Sequence, residues 1–150
     1  MKKIILIIAY LIYGIICYAQ STDEHYYFKS LSIQNGLSQN TVNAILQDKK
    51  GFIWFGTKDG LNRYDGLSFR KFIYDTTNKR SIGNNFITAL YEDIEGNIWV
   101  GTDVGLYVYY PEKDSFRHFT KVSAEHAKIE RAISMISGDS QGRVWIHPQM

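Results

Sequence analysis

The sequence predicts an all-β fold: β-propeller blades, each a four-stranded antiparallel sheet, repeating about every 45 residues in an incomplete ring. Three observations lead there. Residues 48–66 read DKKGFIWFGTKDGLNRYDG and residues 93–111 read DIEGNIWVGTDVGLYVYYP, with nine of nineteen aligned positions identical at an offset of 45. Short runs rich in Ile, Val, Trp, Phe and Tyr alternate with glycine-bearing turns, the signal for short strands. Neither copy holds a long helical period. Four short strands in a unit of this length are the pattern of a propeller blade.

The chain opens with export chemistry. Lys2 and Lys3 precede an uncharged run from Ile4 to Ala19, and Gln20-Ser21-Thr22-Asp23-Glu24 follows at once. A basic start, a short apolar stretch and small residues at Cys17 and Ala19 read as a signal peptide over 1–19, cleaved between Ala19 and Gln20. An uncleaved anchor is the alternative, and 16 apolar residues fall short of the ~20 that span a bilayer. Ile16 before Cys17 is too large for a lipidation signal. Cleavage would remove two lysines, the single cysteine and no acid, leaving 15 basic and 15 acidic residues. Such balance does not suit non-specific nucleic-acid binding or attachment to an anionic membrane, and without cysteine the exported chain has no disulfide framework. No membrane span is expected after removal of the signal.

Next comes a leader or edge strand over 20–36, then repeat 1 over 37–81, repeat 2 over 82–127 and a truncated repeat 3 over 128–150. In repeat 1, strands are expected near 41–47, 52–56, 61–64 and 68–73. Asp48-Lys49-Lys50-Gly51 makes the first turn, Thr57-Lys58-Asp59-Gly60 the second and Asp65-Gly66 the third. Repeat 2 gives strands near 86–92, 97–101, 105–110 and 115–120. Ser68-Phe69-Arg70-Lys71-Phe72 matches Ser115-Phe116-Arg117-His118-Phe119 at an offset of 47, so a turn has grown by two residues. Lys121 to Arg131 reads as a polar loop between repeats, with a short helical turn as the alternative. Repeat 3 keeps Asp139, Gly142 and Trp145 but places Ile146-His147-Pro148 where Val100-Gly101-Thr102 stands in repeat 2.

The recurring residues form a structural signature: Asp48, Gly51, Trp54, Gly56, Thr57, Gly60 and Leu61, then Asp93, Gly96, Trp99, Gly101, Thr102, Gly105 and Leu106, then Asp139, Gly142 and Trp145. A tryptophan at one fixed strand position can fill the gap between neighbouring sheets. The glycine two residues later allows close backbone approach, and the threonine after it can bond the following turn. Phe69, Phe72, Phe116 and Phe119 are assigned to packing with the tryptophans.

The motif Asp-x-x-Gly-x-Ile-Trp-x-Gly-Thr-x-x-Gly-Leu-x-x-Tyr resembles the two-component regulator propeller repeat, and the stretch from Asn35 to Val42 is similar to the entry into the first blade of such sensors. The resemblance covers roughly residues 26–146. It implies a periplasmic sensor region of a hybrid two-component system, with further blades, a membrane helix and kinase modules as partners, and leaves room for a homodimer of full-length relatives. It also implies an oligosaccharide ligand, glycan-derived, and makes this chain the amino-terminal piece of such a sensor. None of the kinase or DNA-binding parts is in these residues.

Catalysis finds little support. His25, His118, His126 and His147 lack ligand spacing, so no metal is expected. Asp93-Ile94-Glu95-Gly96-Asn97 resembles a calcium loop, but repeat 1 has two lysines at the matching place and turn chemistry explains both. No glycine cluster opens a helix to cradle phosphate, and Ser38 and Ser81 lack a base at a motif spacing. Neither enzymatic activity nor a cofactor is expected. Residues that differ between repeats, namely Lys58, Asp59 and Arg63 against Asp103, Val104 and Val108, are the candidate ligand contacts. The main reading is a non-catalytic sensor fragment; the alternatives are an exported scaffold or protein-binding propeller without signalling, and a propeller enzyme, which no repeated acid/base pair supports.

Overall fold

A computed structural model describes residues 26–119 and 129–149. The signal segment, Ala19 and Gln20, His25 and His126 lie outside the described residues, as does most of the loop expected over 121–131. Residues 26–30 belong to a first unit, carry no regular secondary structure and are exposed. The second unit begins at Leu31. Of the leader or edge strand expected over 20–36, the described part holds no strand and includes a 3-10 turn at Ile33–Asn35. The Ser32 side chain accepts from Gln34 N–H and Asn35 Oδ1 accepts from Ser32 N–H, so local side-chain bonds satisfy the backbone without a sheet partner.

Ten strands follow: β1 Val42–Gln47, β2 Ile53–Thr57, β3 Gly60–Tyr64, β4 Phe69–Phe72, β5 Ile87–Glu92, β6 Ile98–Thr102, β7 Leu106–Tyr110, β8 Ser115–His118, β9 Ile133–Gly138 and β10 Val144–Pro148. They form two four-stranded antiparallel sheets, β1-β2-β3-β4 and β5-β6-β7-β8, and a β9-β10 hairpin. The hairpin continues through Ile146-His147-Pro148, where the motif fails: Pro148 pairs with Ile133 at the strand end, a place that asks no donor of it. A register shift recurs between Val42 and Ala44 and between Ile87 and Ala89. The extra residue at the first shift, Asn43, donates its amide to Ile87 O on the next sheet at 2.9 Å.

Each recurring aspartate organises its own turn. Asp48 Oδ1 accepts the N–H groups of Lys50 and Phe52, and Oδ2 accepts Trp54 Nε1–H at 2.8 Å. The turn closes through Gly51 N–H to Asp48 O with Gly51 at φ +88, a left-handed backbone that suits glycine. Asp93 repeats the arrangement with Glu95, Asn97 and Trp99 Nε1 at 2.9 Å, and Asp139 with Gln141, Arg143 and, more loosely, Trp145 Nε1 at 3.4 Å. Burial pushes the Asp93 carboxyl up, but the bonds from Trp99, Asn97 and Glu95 outweigh it and hold the group below the usual range. Thr57 and Thr102 close the opposite turns, donating to Gly60 O and Gly105 O at 2.8 Å.

The core lies between sheets. Trp54, Leu61 and Phe72 of the first sheet meet Ile87, Ile98, Val100, Tyr109 and Phe116 of the second, with Ile82 from the crossover. Trp54 stacks on Phe72 at 5.6 Å and meets Tyr109 of the next sheet at 5.5 Å. Paired residues run across the first sheet as Ala44, Gly56, Leu61 and Phe72, small near β1 and large near β4. Side chains thus fill a wedge. At the thin end a methyl on Gly56 would sit 2.6 Å from Ile87 Cγ2, and one on Gly101 would sit 2.9 Å from Ile133. Strand β1 accordingly packs on β5, and β5 on β9.

Cover for the tryptophan falls along the chain. Trp54 is 1% exposed, Trp99 is half-buried and Trp145 is 58% exposed. Tyr109 of β7 covers Trp54 from the next sheet, and among the described residues the third sheet has only β9 and β10. Burying an aromatic removes about 150–250 Å² from water, or at most ~4–6 kcal/mol. A polar clasp adds to the first interface: Arg70 on β4 bonds both oxygens of Asp114 at 2.6 and 2.7 Å, and Tyr109 donates to the same carboxylate at 2.8 Å.

Trp54→Ala is expected to cost about 3–5 kcal/mol in urea unfolding, Trp99→Ala less and Trp145→Ala least; equal losses would contradict cover by the following blade. The clasp gives a pH signature. Arg70, then Tyr109, hold the Asp114 carboxyl below its usual range. A depressed carboxyl stabilises the fold above its unfolded value of about 3.9 and loses that contribution as pH falls through the folded value. The Arg70 and Asp114 side chains are themselves about half exposed, which limits the contribution to roughly 1 kcal/mol or less. Asp114→Asn should therefore lower Tm at pH 7, with the gap closing in acid. Tyr109 is pushed up to about 12, by burial first and then by Asp114. Its contribution is lost as pH rises from about 10, and Tyr109→Phe should flatten that alkaline decline.

Candidate functional site

Loop residues that differ between repeats were the expected ligand contacts, and the structure separates them. Lys58 and Asp59 occupy the exposed β2–β3 turn, Lys58 Nζ 5.8 Å from the Phe86 ring and Asp59 accepting from Asn85 at 3.4 Å. Asp103 and Val104 occupy the matching exposed turn, and Asp103 N–H bonds Phe86 O. Arg63 and Val108 do not belong with them. Arg63 lies over the Phe52 ring at 4.4 Å and beside Trp54, and Val108 is buried with 2% exposure. Both sit opposite the tryptophan in the sheet register, on the strand and not in the turn.

The crossover of residues 73–86 between β4 and β5 builds a better-formed recess. Its fold is set by short polar side chains. Asp75 accepts Thr77 N–H and hydroxyl, Ser81 hydroxyl donates to Asp75 O, and Asn78 takes Arg80 N–H. Asn85 anchors the far end by accepting Tyr74 N–H at 2.7 Å, as Asn40 accepts Ile33 N–H one repeat earlier. Phe116 N–H bonds Arg80 O, which fastens the crossover to the free edge of β8. Gly83 then passes so close to Tyr107 that a methyl would fall 2.3 Å from its hydroxyl oxygen.

A recess of about 240 Å³ results, lined by Tyr74, Asp75, Asn78, Ser81, Tyr107 and His118 among others. Tyr107 and His118 stack at 4.8 Å and 26°. Burial, with Tyr74 and Asp103 nearby, pushes the Tyr107 hydroxyl up, so it is a neutral donor near pH 7. Flat rings beside hydroxyl, amide and carboxylate groups can hold a polar ligand that has an apolar face. His118, expected on the solvent side of its strand, is exposed there and stacked. The sequence carried no sign of this recess, because its lining comes from a loop without a motif and from variable strand positions. His147 lies apart, its Nδ1 2.9 Å from Ser134 Oγ. No group of three metal-ligating side chains occurs among the described residues, and no helix there is long and apolar enough to cross a membrane.

Known proteins carry the same architecture. Residues 36–59 and 81–104 match the two component regulator propeller family. Histidine kinase P4 of Formosa agariphila is 40% identical over 63 residues, 42% of this chain and 5% of that protein. The extracellular domain of the hybrid two-component system BT3049 of B. thetaiotaomicron superposes with a TM-score of 0.71 at 32% identity, over 81% of this chain and 18% of that one. The extracellular domain of the hybrid system BT4673 of the same organism gives 0.64 at 27%, over 83% and 18%. This chain thus spans under a fifth of the solved domains and a twentieth of the curated relative. Both complete sheets carry the Asp–Trp signature where the family motif falls. Residues 36–59 and 81–104 thus match two-component regulator propeller repeats, and the sheets that hold them are similar to those in the extracellular domains of hybrid two-component systems.

Proposed function

We propose that these blades form part of the extracytoplasmic sensory region of a hybrid two-component system, and that the region receives a glycan-derived carbohydrate whose binding is passed to a kinase. The likeness to the BT3049 extracellular domain, over 81% of this chain at 32% identity, carries the reading. The basic-then-apolar leader supports export with cleavage at Ala19-Gln20 and a periplasmic location. Stacked Tyr107 and His118 beside Asp75, Asn78 and Ser81 suit a saccharide, whose ring faces are apolar and whose rim is hydroxylated. The blade residues have packing and turn roles, in keeping with a domain that binds and does not catalyse. Further blades and kinase modules are its proposed partners, together with a homodimer of the full-length protein.

Two measurements test this. Expressed in a Gram-negative host, the chain should appear in the periplasmic fraction with Gln20 as its first residue; cytoplasmic retention with Met1 intact would overturn the export reading. A panel of oligosaccharides should include at least one that raises Tm, since a ligand bound only by the folded state stabilises it. Gly83→Val should abolish that shift by displacing Tyr107. A panel without effect on the folded protein would overturn the carbohydrate assignment in favour of a scaffold that binds protein.

A further inference from the structure

Three separate segments bring four cations to one groove on the outer side of the second blade. Lys79 and Arg80 come from the crossover, Lys113 from the 3-10 turn Pro111–Lys113, and Arg117 from β8. With Ser115 and Phe116 they line a groove of about 330 Å³ that no carboxylate faces. The acids nearby are turned to other partners. Asp114 is held by Arg70 and Tyr109, Asp75 by Thr77, and Glu112 lines a neighbouring groove with Lys50. None of the four cations forms an ion pair among the described residues. Lys113 and Arg117 lie over the Tyr110 ring at 5.7 and 5.8 Å.

Charge on an edge strand is a common guard against sheet-to-sheet aggregation, and that accounts for Arg117. It does not account for the other three. They arise outside the strand, and the β8 edge is already occupied where Arg80 O accepts Phe116 N–H. Four like charges around one groove repel each other, and the cost is relieved when an anion enters.

We infer that this groove is an oxyanion site for a sulfate or phosphate ester group carried on a soluble ligand. Guanidinium forks at Arg80 and Arg117 can offer paired N–H donors to such a group, the two lysines add point charge, and Ser115 offers a hydroxyl. The inference rests on the sensor reading only in taking the group to be soluble; anion binding stands apart from it.

Equilibrium dialysis of the chain against inorganic sulfate and phosphate at low ionic strength tests the site. Binding is expected, weakening as sodium chloride rises toward physiological strength. Arg80→Ala/Arg117→Ala should weaken it at least tenfold, while Lys50→Ala, outside the groove, should not. All four side chains are exposed, so circular dichroism should be unchanged; should the double variant fail to fold, Lys79→Ala/Lys113→Ala provides the same comparison. No binding by the folded chain, or equal binding by the groove variant, overturns the site. A sulfated disaccharide should bind more tightly than its unsulfated parent. Binding to phosphatidylglycerol vesicles without that preference would overturn the soluble source. Failure on every arm would leave the saccharide screen and the Gln20 result unaffected, so the two readings fall separately.

Discussion

The bond from a buried indole to the aspartate that starts the preceding turn governs this fold. Trp54 supplies the largest apolar surface between the first two sheets, yet its N–H must find an acceptor once water is gone. Asp48 meets that need and takes two turn N–H groups as well, so its carboxylate is itself solvated by the protein. Turn and core are thereby one unit. The hairpin cannot slip in register without orphaning both a carboxylate and an indole, which is why the same register recurs in β1-β2 and β5-β6.

Packing between sheets builds on this fixed register. Because Ala44, Gly56, Leu61 and Phe72 lie in one row, the first sheet presents a surface that thickens from inner to outer strand, and the second sheet repeats the start of the row as Ala89, Gly101 and Leu106. Close approach at the glycines and bulk at the phenylalanines set the angle between sheets. Bonds to backbone carbonyls then pin the ends: the Lys49 side chain donates through Nζ to Asp93 O and Ile94 O, and Gly60 N–H bonds Asn85 O. The crossover is held between these fixtures, and both grooves discussed above are formed along it. Rigid blades place a polar loop, which is the usual division of labour between scaffold and binding surface.

Much of the scaffold was legible in the residues. All four strands of each repeat fall within a residue or two of expectation in the positions of β1 to β8, because alternation and turn glycines are local signals. The packing roles of Trp54 and Gly56 and the turn bond of Thr57 could be read from their spacing. Other features were not. A turn separates each aspartate from the tryptophan six residues on, so no strand or helix period links the two, and the bond to the indole was hidden behind the aspartate's more familiar role in the turn. The register shift at Asn43 leaves no mark in composition. Ser32 and Asn35 form a capped 3-10 turn where a leader or edge strand was expected, since short polar side chains compete with the ladder for backbone groups. Arg63 and Val108 differ between repeats for a packing reason, one stacking on Phe52 and the other buried, and variation alone could not tell this from ligand contact.

The bond between turn and indole also bears on how such an array can change length during duplication. The distance from aspartate to tryptophan is six residues in all three copies, at Asp48 and Trp54, Asp93 and Trp99, and Asp139 and Trp145. The added residues in the second copy fall between Tyr109 and Ser115, in a turn that keeps an acceptor for the preceding tyrosine at either length, Tyr64 donating to Gly66 O in the first copy and Tyr109 to Asp114 in the second. Copying errors are thus filtered by position: a codon gained inside the first hairpin breaks a blade, and one gained two hairpins later is tolerated. Diversity in such arrays should therefore accumulate on one set of loops, leaving the other nearly constant in length.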